Sequence, residues 1–138
     1  MQHIDFFGQD AEFDHVGVAV ASLDKAMPGL EQTLDPHQQV RVAFVQLHGV
    51  CVELVEPAGD QSPVAGLVRK GQHLYHVCYR VSDLEAAMRQ ARQHGLHCIA
   101  QPAPAPAFQD RRIAWVYSRA FGLFELLEKR KATDDPDG

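Results

Sequence analysis

Two histidines and two glutamates recur at matched places in this 138-residue chain. His15 opens the run HVGVAVASLDKAM and His76 opens HVCYRVSDLEAAM, at an offset of 61. Glu53 sits in VELVE and Glu125 in FELLE, at an offset of 72. Strand side chains alternate between faces. Glu53 then shares its face with Cys51 and Val55, Glu125 with Leu123 and Leu127, His15 with Phe13, Gly17 and Ala19, and His76 with Leu74 and Cys78. A carboxylate on an apolar face is costly unless a charge or strong donor compensates it. One metal ion held by all four side chains removes that cost. Imidazole nitrogen with carboxylate oxygen suits Zn²⁺, Ni²⁺, Co²⁺, Mn²⁺ or Fe²⁺. Four protein ligands leave room for water or substrate only at five or six coordination, so an open, octahedral-type site is expected. Such a site can stabilise the enolate formed when a proton next to a carbonyl is removed. Glu125, and after it Glu53, is the expected base. The rival arrangement turns Glu56 and Glu128 inward and leaves Glu53 and Glu125 in solvent.

The elements that must position these groups also repeat. Both HVGVAV and HVCYRV are short and rich in β-branched residues, so they read as strands. Ser22 caps a helix kept short by Pro28 and Gly29. Ser82 with Glu85 forms a capping box at the start of a second helix, which Gly95 stops. Residues 39–47 and 50–57 read as strands around a His48–Gly49 turn, and residues 97–101, 112–117 and 122–128 as further strands. Ser62–Pro63 opens a short linking helix. The second half holds about 11 more residues between its signatures than the first, and the Pro-rich QPAPAPAFQD at 101–110 accommodates them. The expected fold is α+β: two tandem βαβββ modules, about 12–60 and 73–128, forming a curled mixed β-sheet cleft. They make one domain over 12–128, after an N-terminal extension (1–11) and before a disordered tail (129–138) with nothing to bury. A 60-residue half alone would have a thin core, which pairing of the halves remedies.

Composition narrows the rest. The chain is 46% apolar with a net charge of −5, ordinary for a globular protein. Its short, scattered Lys/Arg clusters cannot grip a run of phosphates, which argues against nucleic acid. No apolar run reaches the roughly 20 residues of a membrane span. Three cysteines (Cys51, Cys78, Cys98) without an export signal fit free thiols in the cytoplasm. Cys51 and Cys78, two residues from expected ligands, read as small core residues. The other six histidines (His3, His37, His48, His73, His94, His97) read as loop or helix-end residues, with His73 and Tyr75 flanking a ligand.

Over nearly all of residues 12–128 the sequence resembles the vicinal oxygen chelate superfamily of glyoxalases, bleomycin resistance proteins and dioxygenases. Within it, the sequence is most similar to the methylmalonyl-CoA epimerases. FDHVGVAV, VRVAFVQL, VELVEP followed by SPVAGLV, HLYHVCYRVSDLEAAM and FELLE carry the resemblance. It implies a glyoxalase-like fold, a divalent metal (Co, Ni, Zn, Mn or Fe) on His15, Glu53, His76 and Glu125, and epimerase or isomerase chemistry. It further implies a substrate with two chelating oxygens, such as an acyl-CoA or other acyl thioester, and a homodimer. The alternatives are a glyoxalase I-type lyase and a non-catalytic small-molecule binder. Three positions depart from the resemblance. Where epimerases of this kind carry a second, proton-moving acid, this chain is apolar near Val42. PAPAPAFQD stands in place of a glycine-rich loop, and Met27–Pro28 in place of an aromatic pair.

Overall fold

A computed structural model describes residues 1–131. The order of elements is β1 (Glu12–Ala19), α1 (Leu23–Ala26), β2 (Thr33–Asp35), β3 (Val40–Leu47), β4 (Val50–Pro57), α2 (Ala65–Arg69), β5 (Leu74–Val81), α3 (Leu84–Gln93), β6 (His97–Pro104), a 3₁₀ turn (Pro106–Phe108), β7 (Arg112–Ser118) and β8 (Gly122–Glu128). This is the expected α+β order of two βαβββ modules. The one strand absent from the sequence expectation is β2. It is three residues long, too short for a periodicity to show, and pairs antiparallel to β3 with Thr33 opposite Val42.

The residues fall into two compact units that cut across the modules. One comprises Asp14–Val77 with Ala105–Asp110; the other comprises Met1–Phe13, Cys78–Pro104 and the chain from Arg111 on. Strand β5 thus begins in the first unit and ends in the second. In the first unit the strand order is β2-β3-β4-β1, followed by the start of β5. Strands β3 and β4 are antiparallel around His48 and Gly49, both at positive φ (50° and 84°), which is the backbone a tight two-residue hairpin needs. Strand β1 runs parallel to β4, with Gly17 opposite Glu53. Ala19, Val40, Val42, Val55 and Val64 form this unit's core, and Leu67 and Val68 of α2 pack against it.

In the second unit the order is the end of β5, then β8, β7 and β6. Helix α3 buries Leu84, Ala87, Met88 and Ala91, an i, i+3, i+4, i+7 stripe, against Val81, Ala114, Val116 and Leu126. Phe7, from the segment before β1, joins that core at 6% exposure. Gly95 ends α3 as expected: it sits at φ 84°, and the Gly95 and Leu96 N–H groups donate to the Arg92 and Ala91 carbonyls. The start of α3 differs from expectation. Asp83 is the cap, its carboxylate accepting from Ala86 N–H at 3.0 Å. The Ser82 N–H donates to Asp10, and Glu85 turns to Arg112. Asp and Ser are near-equal caps, and these two partners distant in sequence decide which is used. Ser22 caps the four-residue α1 as expected, accepting from Lys25 N–H. Helix α2 begins at Ala65 rather than Pro63; Ser62 and Pro63 form the turn before it. Strand β6 runs three residues further than expected, through Pro102 to Pro104, with two breaks of register against β7. Of the expected tail, 132–138 lies outside the described residues. Lys129, at its start, donates its N–H to Val81 and its ammonium to Glu12.

Candidate metal centre

His15, Glu53, His76 and Glu125 are all buried, at 0%, 5%, 3% and 2% exposure. The rival pair faces elsewhere. The Glu56 carboxylate accepts from the Leu23 N–H at the start of α1, and Glu128 accepts from Arg112 at 2.7 Å.

Three of the four lie in the first unit and converge there. His15 Nε2 stands 3.2 Å from His76 Nε2, and Glu53 Oε1 is 3.3 Å and 3.4 Å from those two nitrogens. An ion about 2.1 Å from each donor sets neighbouring donors about 3.0 Å apart at a right angle and about 3.4 Å apart at the tetrahedral angle. The observed triangle lies within that range, so these residues fit a divalent ion. Glu125 lies in the second unit, on β8, between Phe124 and Leu126 and opposite Trp115 of β7.

The local fold explains the convergence. His15, Gly17 and Ala19 alternate inward on β1, as do Glu53 and Val55 on β4. The absent side chain at Gly17 admits the His76 ring: a Cβ there would stand 2.1 Å from His76 Cε1 and 2.3 Å from its Nδ1. His73, just before β5, accompanies this close approach, with its Nδ1–H donating to the Ala19 carbonyl and its own carbonyl accepting from Ala19 N–H.

Two aromatic rings enclose His15. Phe108 stacks on it at 5.7 Å between centroids and 21° between planes, and Phe44 meets it edge-on at 5.8 Å. Phe44 is also the cross-strand partner of Glu53. Val42, two pairs further along, packs with Val55. The two β3 side chains beside the donors, buried Val42 and exposed Phe44, are therefore apolar. Asp14 Oδ2 lies 2.7 Å from His15 Nδ1. Cys51 is half-buried, and burial pushes its thiol pKa up; Cys78 is fully buried. Both are free thiols.

Sequence reasoning did not single out Asp14, Phe44 or Phe108. Phe108 comes from the Pro-rich segment, where no periodicity reveals a target 93 residues earlier in the chain. Gly17 did carry a signal, since an isolated glycine in a strand marks close backbone approach.

The chain belongs to the glyoxalase/bleomycin resistance protein/dioxygenase superfamily, whose model matches residues 14–115. Among curated relatives, it is 28% identical over 126 residues to the ethylmalonyl-CoA/methylmalonyl-CoA epimerase of Cereibacter sphaeroides, covering 82% of this chain and 94% of that protein. The methylmalonyl-CoA epimerase of Mycobacterium tuberculosis shares the fold with a TM-score of 0.74 at 26% identity, over 96% of this chain and 95% of that one. A Streptomyces coelicolor methylmalonyl-CoA epimerase variant in complex with 2-nitronate-propionyl-CoA matches with a TM-score of 0.69 at 23% identity, over 91% and 98%. Among the described residues no helix is long and apolar enough to cross a membrane.

Proposed function

We propose that this protein is a divalent-metal-dependent epimerase or isomerase that abstracts a proton next to a carbonyl by way of a stabilised enolate. His15, Glu53, His76 and Glu125 are its metal ligands in this reading. The observation that carries it is the buried triangle of two imidazole nitrogens and one carboxylate oxygen, 3.2–3.4 Å on a side. The similarity to epimerases over most of the chain supports an acyl-CoA, or another acyl thioester with two chelating oxygens, as substrate. A bound divalent cation (Co, Ni, Zn, Mn or Fe) supplies the positive charge that stabilises the enolate oxygen.

The chain's own residues do the remaining work. His15 and His76 bind through Nε2. Glu125 takes the proton from the carbon beside the carbonyl, with Glu53 the second candidate base. Phe44 and Phe108 keep water from the His15 ring, which raises the worth of every charge interaction at the site. The three free thiols and the superfamily resemblance support a cytoplasmic homodimer as part of the same reading.

One observation favours a second reading. Epimerisation returns the proton to the opposite face of the carbon, which calls for a second acid or a water. Val42 and Phe44 offer no acid on β3. Isomerisation of a hemithioacetal, the glyoxalase I-type lyase reaction, can use the Glu pair alone.

The test is deuterium exchange in heavy water with Co²⁺-loaded protein and methylmalonyl-CoA. Deuterium appearing at the carbon between the two carbonyls, and not appearing with Glu125→Gln, is expected. Turnover of the methylglyoxal–glutathione hemithioacetal without exchange into the thioester would install the second reading. Neither activity in a protein that retains its Co²⁺ would make it a non-catalytic binder.

A further inference from the structure

We propose that Asp14 is a positioning residue that sets the tautomer of His15 and aims its Nε2 at the ligand set; this rests on the metal reading above. His15 has two ring nitrogens with separate tasks. Nδ1 lies 2.7 Å from Asp14 Oδ2, a short, charge-assisted distance. Nε2 lies 3.2 Å from His76 Nε2 and 3.3 Å from Glu53 Oε1. An ionised carboxylate only accepts hydrogen bonds, so the Nδ1 facing Asp14 carries the proton. In the neutral ring Nε2 is then the atom without a proton, the form a metal requires.

The surroundings strengthen the effect. The His15 side chain has no solvent exposure, and Asp14 keeps 21%. A hydrogen bond to a ring sealed between Phe44 and Phe108 meets little competition from water. Asp14 also places a negative charge one ring away from the donor triangle, which favours a dication over a neutral occupant. Phe108 stacked on the imidazole and Phe44 set edge-on to it restrict its rotation, so the choice of tautomer falls to Asp14.

Two measurements test this. The first is a long-range ¹H–¹⁵N spectrum of metal-free protein, in which the protonated and unprotonated ring nitrogens of His15 are resolved. Proton on Nδ1 and none on Nε2 is expected in the wild type, and a tautomer mixture in Asp14→Ala. The second is Co²⁺ affinity, read from the visible absorption of the bound ion in competition with a chelator. Asp14→Ala should bind Co²⁺ about 10–100-fold more weakly. Asp14→Asn, which keeps an acceptor but no charge, should lose less, and Asp14→Glu should recover part of the loss. A wild-type His15 protonated on Nε2 would overturn the proposal, as would Co²⁺ affinity unchanged in a folded Asp14→Ala. The wild-type spectrum decides the tautomer even where a variant fails to fold. Wild type that holds the expected tautomer but binds no Co²⁺ would remove the metal reading and leave the tautomer assignment standing.

Discussion

At the scale of single residues, the four buried side chains proposed as ligands were the most legible part of the sequence. His15, Glu53, His76 and Glu125 were visible because each residue type recurs at a matched place, and strand alternation put each on an apolar face. What surrounds them was not legible, because Phe108 and Phe44 reach the His15 ring through tertiary contacts that leave no period in the chain. Gly17 yields a direct prediction. Any Cβ at this position meets the buried His76 ring, so Gly17→Ala should push that ring off the donor triangle. Co²⁺ affinity should fall at least about tenfold, the order of effect that disturbing a ligand's supports produces. Metal-to-protein ratios after dialysis would show it, and wild-type retention would mean that His76 does not ligate. Glu125→Gln should abolish turnover and also weaken metal binding, whereas loss of turnover at full affinity would make Glu125 a base but not a ligand.

At the scale of elements, seven of the eight strands and the end of α3 were anticipated, whereas the start of α3 was not. Gly95 is a local signal, since only its backbone freedom is at stake. The choice between Ser82 and Asp83 as cap is not local: Asp10 claims the Ser82 N–H, and Arg112 draws Glu85 away from the box. Asp83→Ala should therefore cost about 1 kcal/mol in urea unfolding, the usual worth of a cap. Ser82→Ala should cost well under half of that, and the reverse ranking would restore the capping box. Strand β2 escaped notice because three residues carry no alternation to read.

At the scale of the whole molecule, two responses to conditions follow. A ligand that binds only the folded state stabilises it by mass action, by about 2.7 kcal/mol at a hundredfold excess over its dissociation constant. Co²⁺ should accordingly raise the midpoint of thermal unfolding, and a chelator should reverse the shift; equal melting in both would argue against a folded-state site. The second response is to acid. Lys129 and Arg80 hold the Glu12 carboxyl below the usual carboxylate range, and Arg112 does the same for Glu85. A depressed carboxyl contributes stability above its unfolded value, here 4.5, and loses it as pH falls through the folded one. Melting temperature should hold steady above about pH 5.5 and decline below about pH 4.5. Both carboxylates are solvent-exposed, so the decline from these pairs is small. Arg112→Met should flatten part of it, and an unchanged acid slope in that variant would assign the decline to other carboxylates. The outermost strands bear on a different property. Strand β6 carries Pro102 and Pro104, which lack an N–H to offer a newcomer, and its register against β7 breaks twice; β2 is only three residues long. Neither gives a second copy a straight rail along which to zip, so concentrated protein should resist fibril growth, and restoring the missing donors at 102 and 104 should create a sticky flank.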